Sequence, residues 1–381
     1  MEKVKIFDTT LRDGEQASGF HMFPEEKIEI AKGLEEMGVD VIEAGNPVSS
    51  PGDYRAVMDV CNATERPVIA GLSRCVDRDI VAAAEALEPA IRRGRGRIHV
   101  YIGTSDVHTE KKLRKSRQEV MDMAVTAIER ARGFTDDVEF SPEDFARSDP
   151  DYTAEVIAEA VKAGAGTINL PDTVGYRTPF EIRGMIEKTI ASVAGRTDGM
   201  QVTYSVHCHN DLGLATANTI AAILGGARQV EVTMNGIGER AGNSALEEVI
   251  AIIRERPDFF EAELGDSVYT GIDAAKIYAL SQMVSRFTGN GPQRNKAIVG
   301  KNAFSHEAGV HQDGVVKHAK TYEWMDPRDY GNHSMLTFGP RSGRRGLRTA
   351  YAKMGLEFDD DTFTPIAQRF MEIADGEKEI D

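Results

Sequence analysis

Two histidines two residues apart, His207 and His209, close the β-type run Tyr204-Ser205-Val206. In a strand, residues i and i+2 face one side, so both rings can reach one ion while Cys208 points the other way. The same spacing also fits polar packing or an exposed surface, so further ligands must come from elsewhere. Asp13 offers a carboxylate oxygen, and Asn243 offers an amide oxygen or a hold on a bound water. Mixed oxygen and nitrogen donors suit Mg²⁺, Mn²⁺, Fe²⁺ or Zn²⁺ without choosing among them. With positions left open, a 2-keto acid could chelate through its carboxylate and keto oxygens, and the metal would polarise the ketone. Asp13 read alone fits a helix cap or an arginine partner equally well.

Other side chains suit the same chemistry. Arg12 could steady a developing alkoxide or enolate, or form an ion pair with Glu43 or Glu143. Thr173 could donate to a substrate carboxylate, or be an ordinary turn hydroxyl. Glu143 is a buried partner of Arg12 or a group that orients a base. His99 is a weaker candidate, because a satisfied core histidine explains it nearly as well.

These residues need a scaffold that gathers them. Short β-rich runs occur at Val4–Asp8, Val39–Ala44, Pro67–Leu72, Ile98–Ile102, Asp137–Phe140, Thr167–Leu170, Val202–Val206 and Gln229–Met234. Helical patterns intervene, starting near Pro24, Asp53, Asp77, Arg117, Asp151, Pro179, Leu212 and Asn243. Proline and acids in the first turns mark helix starts, and Gly38, Gly164 and Gly226 mark the returns. Eight strand-then-helix units indicate an α/β fold, a (β/α)8 TIM barrel. An open doubly wound sheet is disfavoured because no G-x-G-x-x-G follows the first strand. A barrel requires its chemistry at the C-terminal strand ends, and ionisable groups or amides do fall at seven of the eight.

The chain of 381 residues exceeds a barrel of roughly 250. The alternation stops after about Arg256. The expected division is a catalytic barrel over 1–270, a linker over 271–325 carrying His311, and a small helical subdomain over 326–381. Helices are expected at Ile272–Thr288, Gly346–Met354 and Thr364–Ala374, and Asp359–Asp361 reads as solvated surface or a helix N-terminus. The net charge of −16, from 61 acidic and 45 basic residues, argues against nucleic acid or anionic membrane as the main partner. Three scattered cysteines give no disulfide framework, and neither a signal peptide nor a transmembrane-length run is visible. A reducing cytoplasm is the expectation.

The segments Asp8-Thr9-Thr10-Leu11-Arg12-Asp13-Gly14-Glu15-Gln16, His207-Cys208-His209-Asn210-Asp211 and Gly238-Glu239-Arg240-Ala241-Gly242-Asn243 closely resemble the 2-isopropylmalate synthase/homocitrate synthase family of metal-dependent acyl-CoA Claisen enzymes. The resemblance covers essentially the whole chain. Leu170–Tyr176, Asn295–Gly300 and Val310–Gly314 look most like the isopropylmalate branch. The resemblance implies that Asp13, His207 and His209 bind a divalent metal (Mg, Mn or Zn), with Asn243 in or near its shell. It implies condensation of acetyl-CoA with 2-oxoisovalerate, then thioester hydrolysis to 2-isopropylmalate and CoA, a step of leucine biosynthesis. It also implies His311 as acid/base group, Tyr322 as a further catalytic position, and a homodimer in which these fold over the barrel mouth. Leu72, Ser141 and Asn169 match positions around the acceptor's side chain.

An apolar Leu72 suits a branched aliphatic tail and offers no cation to the second carboxylate of 2-oxoglutarate, which argues against homocitrate synthesis. Pyruvate, giving citramalate, stays open. A metal-dependent lyase of the hydroxymethylglutaryl-CoA type would carry a catalytic cysteine where Gly238–Asn243 has none. A non-catalytic metabolite-binding barrel would not need this full residue set. Three departures stand out: the bulky loop Ala17–Phe23, Asn46 where an aromatic is common, and Pro340-Arg341-Ser342-Gly343-Arg344 for the frequent Lys-His-Ser-Gly-Arg. The chain ends where many family members begin a leucine-binding regulatory domain. The expectation is a chain without that domain and without leucine feedback inhibition.

Overall fold

The structure, a computed structural model, describes residues 1–339 and 342–376. Eight parallel strands close into a barrel: β1 (Lys5–Asp8), β2 (Val41–Gly45), β3 (Val68–Arg74), β4 (Gly96–Gly103), β5 (Asp137–Glu143), β6 (Thr167–Asp172), β7 (Thr203–Cys208) and β8 (Gln229–Val232). The ring closes where Lys5 pairs with Gln229 and Asp8 with Val232. The expected (β/α)8 barrel is therefore what the chain forms. Its helices are α1 (Pro24–Met37), α2 (Pro51–Ala63), α3 (Asp77–Ala86), α4 (Arg117–Arg132), α5 (Pro150–Lys162), α6 (Pro179–Arg196), α7 (Ala215–Leu224) and α8 (Leu246–Glu255).

Local chemistry sets the helix starts. Proline opens α1, α2, α5 and α6, where a missing N–H costs nothing. Ser116 accepts the Glu119 N–H while Glu119 accepts the Ser116 N–H, a reciprocal cap at the head of α4. Along each strand one face is apolar and packs on the helices. Ile98, Val100, Val138, Phe140, Val206, Cys208, Val230 and Val232 are all buried this way.

The inner face is different. Arg97 and His99 of β4, Glu139 and Ser141 of β5, Asn169 of β6, Ser205 and His207 of β7, and Gln229 and Glu231 of β8 are all buried. Arg97 Nη1 donates to Glu139 Oε2 and to Gln229 Oε1, both at 2.9 Å, and its Nε donates to Asp137 Oδ1 at 2.8 Å. Gln229 Nε2 donates to Glu139 Oε1 at 2.8 Å and to Ser205 Oγ at 3.0 Å. A bonded polar network thus fills the β4–β8 side of the barrel, where branched aliphatics commonly stack, while Phe7, Val41 and Ala70 of β1–β3 form an apolar cluster with Phe7 edge-on to His99.

Several expectations need correction. Strands β3, β5, β6 and β7 run two or three residues beyond their expected ends, to Arg74, Glu143, Asp172 and Cys208. His207 accordingly lies within its strand, and Glu139, expected at a strand end, lies deep in the barrel on Arg97. A π-helical turn at Val107–Leu113 and helix α9 (Pro257–Leu264) were not expected, nor was the parallel pairing of Glu2–Lys3 with Val268–Tyr269. Next comes α10 (Ile277–Thr288), which begins five residues after its expected start, behind the short turn Ala274–Lys276.

The chain divides into two compact units: Met1–Asp273 with Leu280–Gly291, and Ala274–Ala279 with the residues from Pro292 on. In the second unit, Ser305–His306 pairs in parallel with Met335–Leu336. Its helices are α11 (Gly309–Lys317), α12 (Arg344–Lys353) and α13 (Asp360–Ala374). Leu347, Phe363 and Ala367 form a core there with Phe338, Tyr351, Phe358 and Phe370 around it. Asp359 caps α13 by accepting the Thr362 N–H at 2.7 Å, so the acidic run is a helix start. Of the departure at 340–344, Pro340 and Arg341 lie outside the described residues.

Candidate metal centre and active site

The loop after β1 turns tightly around Thr9. The Arg12 N–H and Gly14 N–H both donate to Thr9 O, and the Asp13 N–H donates to Thr9 Oγ1 at 3.2 Å. This turn puts Arg12 and Asp13 at the barrel mouth. The loop after β8 is held by two glycines. Gly242 has φ +93°, and a Cβ there would sit 2.0 Å from Gly236 O; a Cβ on Gly238 would sit 2.1 Å from Asn243 Nδ2. The spacing of Gly238-x-x-x-Gly242-Asn243 is therefore what allows Asn243 to lie flat against β7, bridged to His209.

Three ligand atoms converge there. His207 Nε2 and His209 Nε2 are 3.1 Å apart, and Asp13 Oδ2 is 3.3 Å from the first and 3.9 Å from the second. Asn243 Nδ2 donates to Asp13 Oδ2 at 2.9 Å and to Ile237 O at 3.1 Å. Its Oδ1 is buried with no hydrogen-bond partner among the described residues. The behaviour of the charges agrees with a cation-binding cluster. Burial opposes ionisation of Asp13, but Arg12 and His207 hold its carboxyl well below the usual range. Burial also opposes the His207 cation, yet Asp13 and Glu231 lift the ring to about 10. Burial and the charge on His207 push His209 down to about 3, leaving it neutral. One carboxylate, two imidazoles and an orphaned amide oxygen around one point are donors that fit a divalent metal.

Arg12 binds Glu43 through Nε at 2.6 Å and Asp13 through Nη1 at 3.2 Å. Of its two expected partners Glu43 is the one found. Glu143 instead accepts Lys112 Nζ at 2.7 and 2.9 Å, with His108 Nδ1 3.7 Å away; both belong to the π-helical turn. Glu43 also accepts Thr9 Oγ1 at 2.7 Å and contacts His99 Nδ1 at 2.9 Å. His99 Nε2 meets Ser141 Oγ at 2.7 Å, and Asn169 Nδ2 donates to the same oxygen at 2.9 Å. Asn169 Oδ1 is buried and has no hydrogen-bond partner among the described residues. Thr173 Oγ1 accepts the Asp144 N–H at 3.0 Å. Arg240, at φ +57°, binds Asp211 at 2.7 and 2.9 Å and Thr173 O at 2.9 Å, tying three rim loops together.

A cavity of about 270 Å³ at this mouth is lined by Arg12, Asp13, Leu72, His99, Ser141, Glu143, Asn169, Thr173, His207 and His209. Asn243 adjoins it through Asp13. Gln16, Asn46, Tyr101, Glu231 and Glu239 line it too; of these, sequence reasoning singled out only Asn46, as a departure from the family pattern, and gave the others no role of their own. For Glu231 a signal existed: Gln229 and Glu231 alternate with valines in β8, which puts both on the inner face. Cys208 points outward toward Thr219 of α7, and burial keeps its thiol protonated. His311 and Tyr322 belong to the second unit. There their rings stack, with centroids 4.1 Å apart, and Gly314 leaves the room that Tyr322 occupies.

Residues 3–284 match the HMGL-like family model, and residues 298–378 match the homocitrate synthase post-HMGL domain-like model. The 2-isopropylmalate synthase of Chromobacterium violaceum is 49% identical over 381 residues, covering 100% of this chain and 72% of that protein. That of Pyrococcus furiosus is 50% identical over 380 residues, covering 99% of this chain and 73% of that protein. Among solved structures, the hydroxymethylglutaryl-CoA lyase of Pseudomonas aeruginosa superposes with a TM-score of 0.59 at 22% identity, over 76% of this chain and 94% of that one. The last likeness speaks for the barrel fold alone.

Proposed function

The chain belongs to the 2-isopropylmalate synthase family, within the HMGL-like barrels, and we propose that it condenses acetyl-CoA with 2-oxoisovalerate and hydrolyses the thioester, releasing 2-isopropylmalate and CoA. The observation that carries this reading is the convergence of Asp13, His207 and His209 on one point of a cavity that Leu72 also lines. A divalent cation held by those three, with Asn243 Oδ1 beside them, would act as a Lewis acid on the keto group.

The chain's own residues do the rest. Arg12 is fixed by Glu43, so its remaining N–H groups can meet negative charge growing on the keto oxygen. The Thr173 oxygen is already taken by the Asp144 N–H, which leaves its proton for a substrate carboxylate. Leu72 presents an apolar wall to the isopropyl group, and Asn169 and Ser141 border it. Glu143, His311 and Tyr322 are proposed as the acid–base residues. They take a methyl proton from acetyl-CoA, protonate the new alkoxide and assist water in cleaving the carbon–sulfur bond. Acetyl-CoA as co-substrate, Mg, Mn or Zn as the metal, a homodimer and a cytoplasmic setting complete the proposal. No helix among the described residues is long and apolar enough to cross a membrane.

The test is thiol release from acetyl-CoA with a panel of 2-keto acids, with and without chelator. The highest kcat/KM is expected with 2-oxoisovalerate, and chelation should abolish it. Preference for pyruvate or 2-oxoglutarate would overturn the acceptor, and no thiol release with any 2-keto acid would overturn the reaction.

A further inference from the structure

The two histidines of the metal centre are not equivalent. His207 lies directly across from Glu231 in the register of β7 and β8. Its Nδ1 stands 2.7 Å from Glu231 Oε2, while its Nε2 faces Asp13 and His209. Neither ring's Nδ1 has a hydrogen bond of good geometry among the described residues, but only that of His207 has a carboxylate oxygen within reach. Glu231 itself is 1% exposed, and its Oε1 is buried without a hydrogen-bond partner among the described residues.

Glu231 also falls in a second acidic cluster, with His99 and Glu139. That cluster makes a poor ion site. Both ring nitrogens of His99 are engaged, by Glu43 and Ser141, and both oxygens of Glu139 are engaged, by Gln229 and Arg97. The group left for Glu231 to act on is His207.

We propose that Glu231 is a positioning residue for the metal centre: it holds the proton of His207 on Nδ1, leaves Nε2 as the ligand atom, and strengthens that atom as a donor. A carboxylate behind an imidazole ligand acts this way because it fixes the tautomer and the ring orientation and raises ligand basicity. Desolvating a carboxylate in a barrel interior is costly, and the charge of a metal one imidazole away offsets that cost. The proposal rests on the metal reading of Asp13, His207 and His209.

The experiment measures Mn²⁺ affinity of the full chain, stripped of metal, by calorimetry or electron paramagnetic resonance. Glu231→Gln and Glu231→Ala should weaken Mn²⁺ binding about 10–100-fold. Glu231→Asp, a shorter carboxylate, should fall between them and the unaltered chain. Glu139→Gln, which alters the neighbouring carboxylate without touching His207, should change affinity by less than about threefold. In a His207→Asn background, Glu231→Gln should have no further effect, whereas a merely structural role would lower affinity or Tm in both backgrounds. Unchanged Mn²⁺ affinity in Glu231→Gln would overturn the inference while leaving the metal centre intact. Unchanged affinity in Asp13→Ala would overturn the metal reading itself.

Discussion

Arg12 Nε and Glu43 Oε2 meet at 2.6 Å, and Glu43 is wholly buried beneath them. The contact joins the loop after β1 to strand β2 and fixes the guanidinium beside Asp13. The other oxygen of Glu43 holds His99, so one carboxylate serves a guanidinium and an imidazole. Burial opposes the ionised form, but Arg12 and His99 together keep the Glu43 carboxyl below its usual range.

Removing Glu43 should therefore cost both stability and activity. Breaking a buried pair leaves a charge without a partner, worth about 3–5 kcal/mol. Glu43→Ala is expected to lower Tm by at least about 6 °C by scanning fluorimetry, and Glu43→Gln by less. A Tm within roughly 1–2 °C of that of the unaltered chain would show that Arg12 finds another partner.

The metal centre predicts a steep loss. Lewis-acid polarisation contributes several kcal/mol, and each ~1.4 kcal/mol is tenfold in rate. His207→Ala should lower kcat/KM for thiol release by about a thousandfold or more, and excess metal should not restore it. Full activity in that variant would remove the histidine pair from the mechanism.

Asp8 gives a pH signature. Burial raises its carboxyl to about 7, against the hydrogen bonds from Thr10. Between its ordinary value and 7 the folded chain keeps a proton that the unfolded chain has released. Stability from this group therefore falls as pH rises through that window, at up to ~1.4 kcal/mol per pH unit. Below the window it contributes nothing, and above 7 the full penalty is present. Asp8→Asn should lose less Tm between pH 5 and 7.5 than the unaltered chain. Parallel Tm curves for the two would contradict the assignment.

Leu72 should set acceptor size. A wall residue changed by a methylene or two discriminates by about 1–3 kcal/mol. Leu72→Ala is expected to lower kcat/KM for 2-oxoisovalerate by about tenfold or more and to narrow its margin over longer 2-keto acids. An unchanged ranking across the panel would place the side-chain pocket elsewhere.

Arg240 should act through the rim. Its bonds to Asp211 and Thr173 O join the loops that follow β6, β7 and β8. Arg240→Ala is expected to raise KM for the keto acid about 3–10-fold, the worth of one or two partly exposed hydrogen bonds, with metal affinity unchanged. A loss confined to kcat would argue for direct chemistry instead.

Much of this was legible in the chain because the signals are local. The alternation of short β runs with amphipathic helices, punctuated by Gly38, Gly164 and Gly226, specifies a barrel. His207 and His209 are revealed by a spacing of two. What escaped depends on contacts distant in sequence. Glu139 reads as a strand-end acid until Arg97, on another strand, is placed beside it. Glu231 looks like one acid among many until β7 and β8 pair. Four strands run longer than the hydropathy pattern suggests because their polar ends are satisfied by the segments that follow: Arg74 by Asp79, Glu143 by Lys112 and Asp172 by the Tyr176 and Arg177 N–H groups. The π-helical turn that brings Lys112 onto Glu143 has no sequence signature of its own.

The polar filling of the barrel bears on how such a protein can change. Arg97, Glu139, Gln229 and Ser205 share bonds, so altering one strands its neighbours, and innovation in that layer would require several coordinated substitutions. Leu72 is apolar, and the Asn46 side-chain oxygen has no hydrogen-bond partner among the described residues. A substitution at either breaks no such network. New acceptor preferences can arise there by single steps, while the ligand-bearing side of the mouth stays locked by the interior beneath it.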